Sequence, residues 1–267
     1  DRTARVWDTA TGQPIAVLQG HDGEVVGVAI SRDGQIVATA SEDKSARLWN
    51  AATGRQLQDF DSHQGRVTSV AFSPDGARLL TTSQDGFARI WDVTAARPPI
   101  IVTAKNASII SAQFSPDGGR IATISVGSTV DIWDAQTGEW RFTLPAAPSD
   151  IRQLAFDPTG TWLGASTWGG DVVVWNAQKS EPFTTLNDRE ARSIAFAFGE
   201  EGRSIMALSK NGNIVAWPLP ATLSGAVRNA VVLAGRCLTV EERVTLQLES
   251  PVPNWCETAI DFGIGPP

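Results

Sequence analysis

Apolar and polar positions fall into short runs of four to six residues, separated by turn-forming clusters, as far as residue 220. One set of runs reads Val25 to Ile30, Gln35 to Ala40, Ala46 to Trp49 and Arg55 to Phe60. The first run is apolar or small throughout, which predicts an inner strand packed on both faces. Between runs lie turns such as Ser31-Arg-Asp-Gly34, Ser73-Pro-Asp-Gly76 and Ser115-Pro-Asp-Gly118. Pro presets the turn and Gly supplies positive φ, so these read as hairpins. Short β-rich runs punctuated this often predict an all-β fold.

The four runs, labelled a to d, recur. Val67 to Phe72, Arg78 to Thr82, Ala88 to Trp91 and Pro98 to Thr103 form the next set. Trp7, Trp49, Trp91, Trp133, Trp175 and Trp217 stand 42 residues apart, and Gly34, Gly76, Gly118, Gly160 and Gly202 keep the same step. A fixed period of about 40–45 residues that closes on Trp-Asp or a variant predicts a β-propeller of four-stranded antiparallel blades. Twenty-one strands can be counted, in five to six blades. The first blade begins at strand c, with Asp1 to Trp7 followed by Pro14 to Leu18, and lacks its inner pair. An unpaired edge is a liability, so the expectation is a fragment of a larger propeller, the C-terminal part of a longer chain. After Pro218-Leu-Pro220 the pattern changes. Thr222 to Leu233 and Val240 to Leu248 have helical spacing, with Ser224 and Thr239 as N-caps. The expected organisation is a propeller over 1–220 and a helical, then irregular, tail over 221–267.

Net charge is −7 and the pI is near 4.9. Neither suits a phosphate-binding face, so no nucleic-acid partner is expected. No apolar stretch is long enough to span a membrane, and no signal-like start is visible. Cys237 and Cys256 are the two cysteines, both in the tail. Reduced thiols in a cytoplasmic protein are expected, with a single clip across the tail as the alternative.

The repeats resemble the WD-repeat family. Residues 20–50 carry its pattern: Gly20-His21, Val28-Ala-Ile30, Ser31-Arg-Asp-Gly34, Ala38-Thr-Ala-Ser41, Asp43 and Arg47-Leu-Trp49-Asn50. Residues 62–92 repeat it with Ser62-His63, Ser73-Pro-Asp-Gly76, Asp85 and Arg89-Ile-Trp91-Asp92. The resemblance implies a buried hydrogen-bond set in each blade. One set is His21, Thr39, Asp43 and Trp49; the next is His63, Thr81, Asp85 and Trp91. Later blades depart: Lys105 and Gly127 replace His and Asp, then Ala147 and Gly169, then Arg189 and Asn211. The tail, with Ala234-Gly-Arg-Cys237-Leu-Thr-Val-Glu-Glu-Arg243 and Pro253-Asn-Trp-Cys256, resembles the ending of bacterial WD-repeat proteins fused to STAND-type NTPase or other effector modules. Cys237 and Arg243 depart from the usual Asn and Trp there.

A His, a hydroxyl and an Asp together invite a catalytic-triad reading. The set recurs in successive blades, whereas a nucleophile needs one cleft and one oxyanion hole. Both histidines are consumed by these sets, so no metal site, cofactor or enzymatic activity is expected. The resemblance implies a protein-binding scaffold or ligand-sensing module, part of a larger bacterial signalling protein preceded by further repeats and an effector domain. The alternatives are an enzyme acting at the central opening and a plain adaptor subunit. Partner contact is expected on the face made by the d–a and b–c loops. Its candidate residues are Glu24, Glu42, Arg66, Gln84, Val126, Asp150, Trp168 and Lys210. Trp168, flanked by Gly169-Gly170 and off the 42-residue register, is either an exposed anchor or a side chain folded onto a neighbouring blade. Arg5, Arg47 and Arg89 are expected to cap the indole faces, and Trp140 and Trp162 to pack.

Overall fold

A computed structural model describes residues 1–94, 97–104, 108–179, 181–186, 193–199, 202, 204–210 and 212–219. The predicted tail, with Cys237 and Cys256, and the substituting residues Lys105, Arg189 and Asn211 lie outside the described residues. The described chain is all-β, with strands β1 (Thr3–Trp7) to β21 (Ile214–Pro218) in six antiparallel sheets. These sheets are consistent with propeller blades. Four have all four strands in the order a-b-c-d: β3 (Val25–Ile30) to β6 (Gln56–Phe60), β7 (Val67–Phe72) to β10 (Ile100–Thr103), β11 (Ile109–Phe114) to β14 (Trp140–Thr143), and β15 (Ile151–Phe156) to β18 (Glu181–Leu186). They are the second to fifth blades. The first has β1 and β2 (Pro14–Gln19) alone, and the sixth has β19 (Ser193–Phe198), β20 (Ser204–Ser209) and β21.

The a–b hairpins owe their shape to the turn sequence. Gly34, Gly76, Gly118, Gly160 and Gly202 all sit near φ +70°, and each donates its N–H to the carbonyl three residues back. The serine that opens the turn accepts the N–H of strand b: Ile36 N to Ser31 Oγ is 2.9 Å and Arg78 N to Ser73 Oγ is 2.9 Å. In the fifth blade Asp157 does the same through its carboxylate, taking the N–H of Trp162 at 2.6 Å.

The core lies between blades. Ala38, Ala40, Ala46 and Leu48 of the second blade pack against Val70, Leu79 and Trp91 of the third. Ala122, Val130 and Ile132 of the fourth pack likewise against Leu163, Ala165 and Trp175 of the fifth. Two arginines one period apart add polar clamps. Arg78 donates to Ala135 O (2.6 Å) and Gly118 O (2.7 Å) of the next blade; Arg120 donates to Ala177 O (2.7 Å) and Gly160 O (3.0 Å).

One expectation is corrected. Strand β3 is not packed on both faces: Val28 is 62% exposed, whereas Val70, one period on, is 9% exposed. The preceding blade lacks the inner strands that would cover it. Likewise Trp140 does not pack as a core residue. It lies 42% exposed on β14, with its indole N–H donated to Asp131 at 3.2 Å.

Candidate functional site: the loop face of the blades

The second and third blades hold the predicted polar sets. His21 Nδ1 is 2.7 Å from Asp43 Oδ2, His21 Nε2 is 2.7 Å from Thr39 Oγ1, and Trp49 Nε1 donates to Thr39 Oγ1 at 2.8 Å. His63, Asp85, Thr81 and Trp91 repeat this at 3.0, 2.7 and 2.8 Å. One proton arrangement satisfies each chain: indole N–H to hydroxyl oxygen, hydroxyl O–H to Nε2, and Nδ1–H to carboxylate, with a neutral imidazole.

Electrostatics agree with that arrangement. Burial opposes the charge of Asp43, but hydrogen bonds from the Ser45 side chain, His21, and the Ser45 and Asp22 amides outweigh it. They hold the pKa at about 2, against an ordinary 3.8. Asp85 is held at about 2 in the same way, with Gln64, His63 and Phe87 outweighing burial. Burial pushes the His63 imidazole below its ordinary 6.5; the Asp85 hydrogen bond opposes this shift and the Arg89 charge adds to it. Arg47 pairs with Asp59 at 3.4 Å and lies 3.9 Å from Asp43, and Arg89 pairs with Asp85 at 2.8 Å. These arginines complete the polar sets, where capping of the indole faces was expected.

Both histidines are buried, and each tie joins side chains of its own blade. They fix the b–c turns, and the turns present the candidate ring. Glu42 N donates to Glu24 O, Gln84 N to Arg66 O, Val126 N to Ser108 O and Trp168 N to Asp150 O, all at 2.8–2.9 Å. The d–a and b–c loops of the second to fifth blades are thus joined at the same point, and seven of the eight candidates lie on this one face. Lys210 is exposed at the corresponding position after β20.

Along the face the chemistry changes. In the second and third blades it is charged and internally paired, with Arg66 reaching back to Glu42 at 2.5 Å. In the fourth and fifth it is apolar at the tips: Val126 is 59% and Trp168 66% exposed. Trp168 does not fold onto a neighbouring blade. The Arg152 guanidinium stands 5.0 Å from its ring centroid, a contact that sequence reasoning missed. Ser128 Oγ ties the two blades by donating to Asp150 Oδ1 at 3.1 Å. Gly169 N donates to Ser149 Oγ at 3.0 Å, fixing the turn where an aspartate would otherwise act.

Among the described residues, no group of three or more His, Cys, Asp or Glu side chains could hold a metal ion. Nor is any described helix long and apolar enough to cross a membrane.

Comparison with known families agrees with this geometry. The model for the WD domain, G-beta repeat, matches residues 12–50, 54–92 and 138–176. No curated protein matches the chain. The three matched segments support placement among WD-repeat proteins, whose domains typically serve as scaffolds for protein partners.

Proposed function

We propose that the protein is a non-catalytic docking scaffold that captures a protein segment or peptide on its loop face, with Val126 and Trp168 as the anchor. The observation that carries this reading is Trp168: a large indole, two-thirds exposed, yet held by Arg152 and by a turn whose backbone is fixed. A rigid aromatic beside an aliphatic side chain loses little conformational entropy on binding, and such residues dominate interface energetics. The paired charges around Glu24, Glu42, Arg66, Gln84 and Asp150 supply a polar rim. The finer reading is a cytoplasmic signalling protein of bacterial type, with these blades as the docking part of a longer chain. The tail sequence, which resembles the ending of bacterial WD-repeat proteins fused to effector modules, supports it.

The test uses peptides selected from a random display library on the intact chain. Trp168→Ala should weaken their binding by tenfold or more, on the scale of a hot-spot residue, with an unchanged melting curve. Val126→Asp should do the same, and Leu57→Asp, on β6, should not. Undiminished binding by both loop variants would remove the anchor from this face.

A further inference from the structure

The second residue of strand a stands at the loop face in each complete blade. From the second blade to the fifth it is Val26, Thr68, Ile110 and Arg152. The fifth blade alone of these four puts a charge there. Arg152 is exposed, and its guanidinium stands 5.0 Å from the Trp168 ring centroid. Among the described residues no acceptor takes its N–H groups. Arg66, Arg89 and Arg141, by contrast, each pair with a carboxylate. Asp150, the acid two residues from Arg152, is held by Ser128 instead. A ring attracts the charge of a guanidinium but accepts none of its in-plane N–H groups, so Arg152 keeps its donors for a second molecule. Ile110 and Val126, both about half exposed, extend the apolar surface of Trp168 into the fourth blade.

We infer that the segment captured here carries one Asp or Glu side chain two residues from an apolar anchor. The anchor lies on Trp168, Val126 and Ile110, and Arg152 takes the carboxylate. This rests on the docking reading above and adds the partner's charge to it. A guanidinium grips a carboxylate through two parallel N–H bonds, which gives direction as well as attraction. In an extended segment, side chains i and i+2 share one side about 6.6 Å apart. That spacing is comparable with the 5.0 Å between guanidinium and ring, so neighbouring side chains can serve both. A chain terminus or a phosphate would need a nest of free amides. The turn has spent them: the N–H groups of Trp168, Gly169, Gly170 and Asp171 donate to Asp150 O, Ser149 Oγ, Thr167 O and Thr167 Oγ1 at 2.8–3.1 Å. A run of acids would meet Asp150 and a chain of net charge −7, so a single acid fits best.

The test extends the panning of a random peptide library on the intact chain. Enriched peptides should share an Asp or Glu two residues from an apolar side chain. Each is then resynthesised with that acid as its amide. On the unaltered chain the amide form should bind about fivefold more weakly or worse. On Arg152→Gln the acid and amide forms should bind alike, and Arg152→Glu should favour a peptide with Lys at that position. Were Arg152 only a support for the indole, Arg152→Gln would weaken both forms equally, and the inference would fall. It would also fall if the enriched peptides shared no acid, or if amidating their C-termini abolished binding. Should Trp168→Ala weaken the peptides while Arg152→Gln does not, the carboxylate preference alone is lost. Should neither variant matter, or the library yield no binder, the docking reading is lost with it.

Discussion

The second and third blades build their b–c turns from buried charge, while the fourth and fifth build the same turns without it. In the former an aspartate at about pKa 2 gathers a histidine, neighbouring amides and an arginine. In the fourth, Gly127 takes the aspartate's place and Trp133 keeps only its bond to Thr123 at 2.8 Å. In the fifth even the hydroxyl is gone. Ala165 stands at the threonine position, and Trp175 turns its N–H to Pro145 O at 3.0 Å. Yet the cross-loop bonds from Val126 and Trp168 match those from Glu42 and Gln84. The backbone is therefore specified by strand register and turn glycines, and the polar set is one of several ways to tie it down. In the fourth and fifth blades, where the set is absent, the exposed tip residues are apolar. The half of the face least committed to internal charge is the half suited to a partner.

The largest expected effect separates the two kinds of blade. Asp85→Ala leaves Arg89, itself nearly buried, and His63 without their carboxylate. Breaking a buried pair costs on the order of 3 kcal/mol, which a denaturant melt will resolve. Asp43→Ala should cost somewhat less, because Arg47 retains Asp59. The reverse substitution is the sharper probe. Gly169→Asp gives the fifth blade back its carboxylate, but Ala147 supplies no imidazole and the new Cβ would meet Ser149 Oγ at 2.6 Å. A loss of about 1 kcal/mol is expected; a gain would mean that the aspartate alone carries the stabilisation.

Acid should divide the blades in the same way. The folded Asp43 and Asp85 carboxyls titrate at about 2, below their ordinary 3.8. In the unfolded chain they bind protons first, so the stability they contribute is intact above about pH 4 and fades as pH falls toward 2. His63 is also depressed from 6.5. The unfolded state takes up its proton first, so stability begins to fall below about pH 6.5. Urea melts from pH 8 to 3 should show both declines. The higher one should vanish in His63→Ala, against that variant's own lower baseline; its persistence would place the titrating group elsewhere.

Arg120→Ala removes two bonds that join the fourth blade to the fifth, at an expected cost of about 1–2 kcal/mol. Arg78→Ala should behave alike one blade earlier, since the clamps do not depend on the polar sets. These arginines show where sequence reading stopped. The 42-residue step placed the strands, because Trp and turn Gly report backbone geometry that nothing else satisfies as cheaply. The polar sets were legible through the resemblance to the WD-repeat pattern, which implies them at His21, Thr39, Asp43 and Trp49 and one period on. Arg78 and Arg120 also stand one period apart, but an arginine at the head of a strand is ordinarily solvated, and only the neighbouring blade reveals its carbonyl partners. Arg152 and Trp168 are joined by loop adjacency across 16 residues, which no periodicity encodes.

The smallest expected effect concerns a single hydroxyl. Ser41 Oγ and Ser83 Oγ accept the N–H of Asp43 and Asp85 at 3.2 and 3.1 Å, locking the turn from inside. Ser125 occupies the same position in the fourth blade, equally buried, and its Oγ has no hydrogen-bond partner among the described residues. Ser83→Ala should therefore cost about 1 kcal/mol, since the Asp85 amide loses its acceptor. Ser125→Ala removes a buried hydroxyl with no hydrogen-bond partner among the described residues, and should be neutral within about 0.5 kcal/mol or slightly stabilising. Paired thermal melts read the difference directly. Equal losses would show that the fourth blade uses its serine as the earlier blades do, and the contrast between them would then reduce to His63, Asp85 and their counterparts in the second blade.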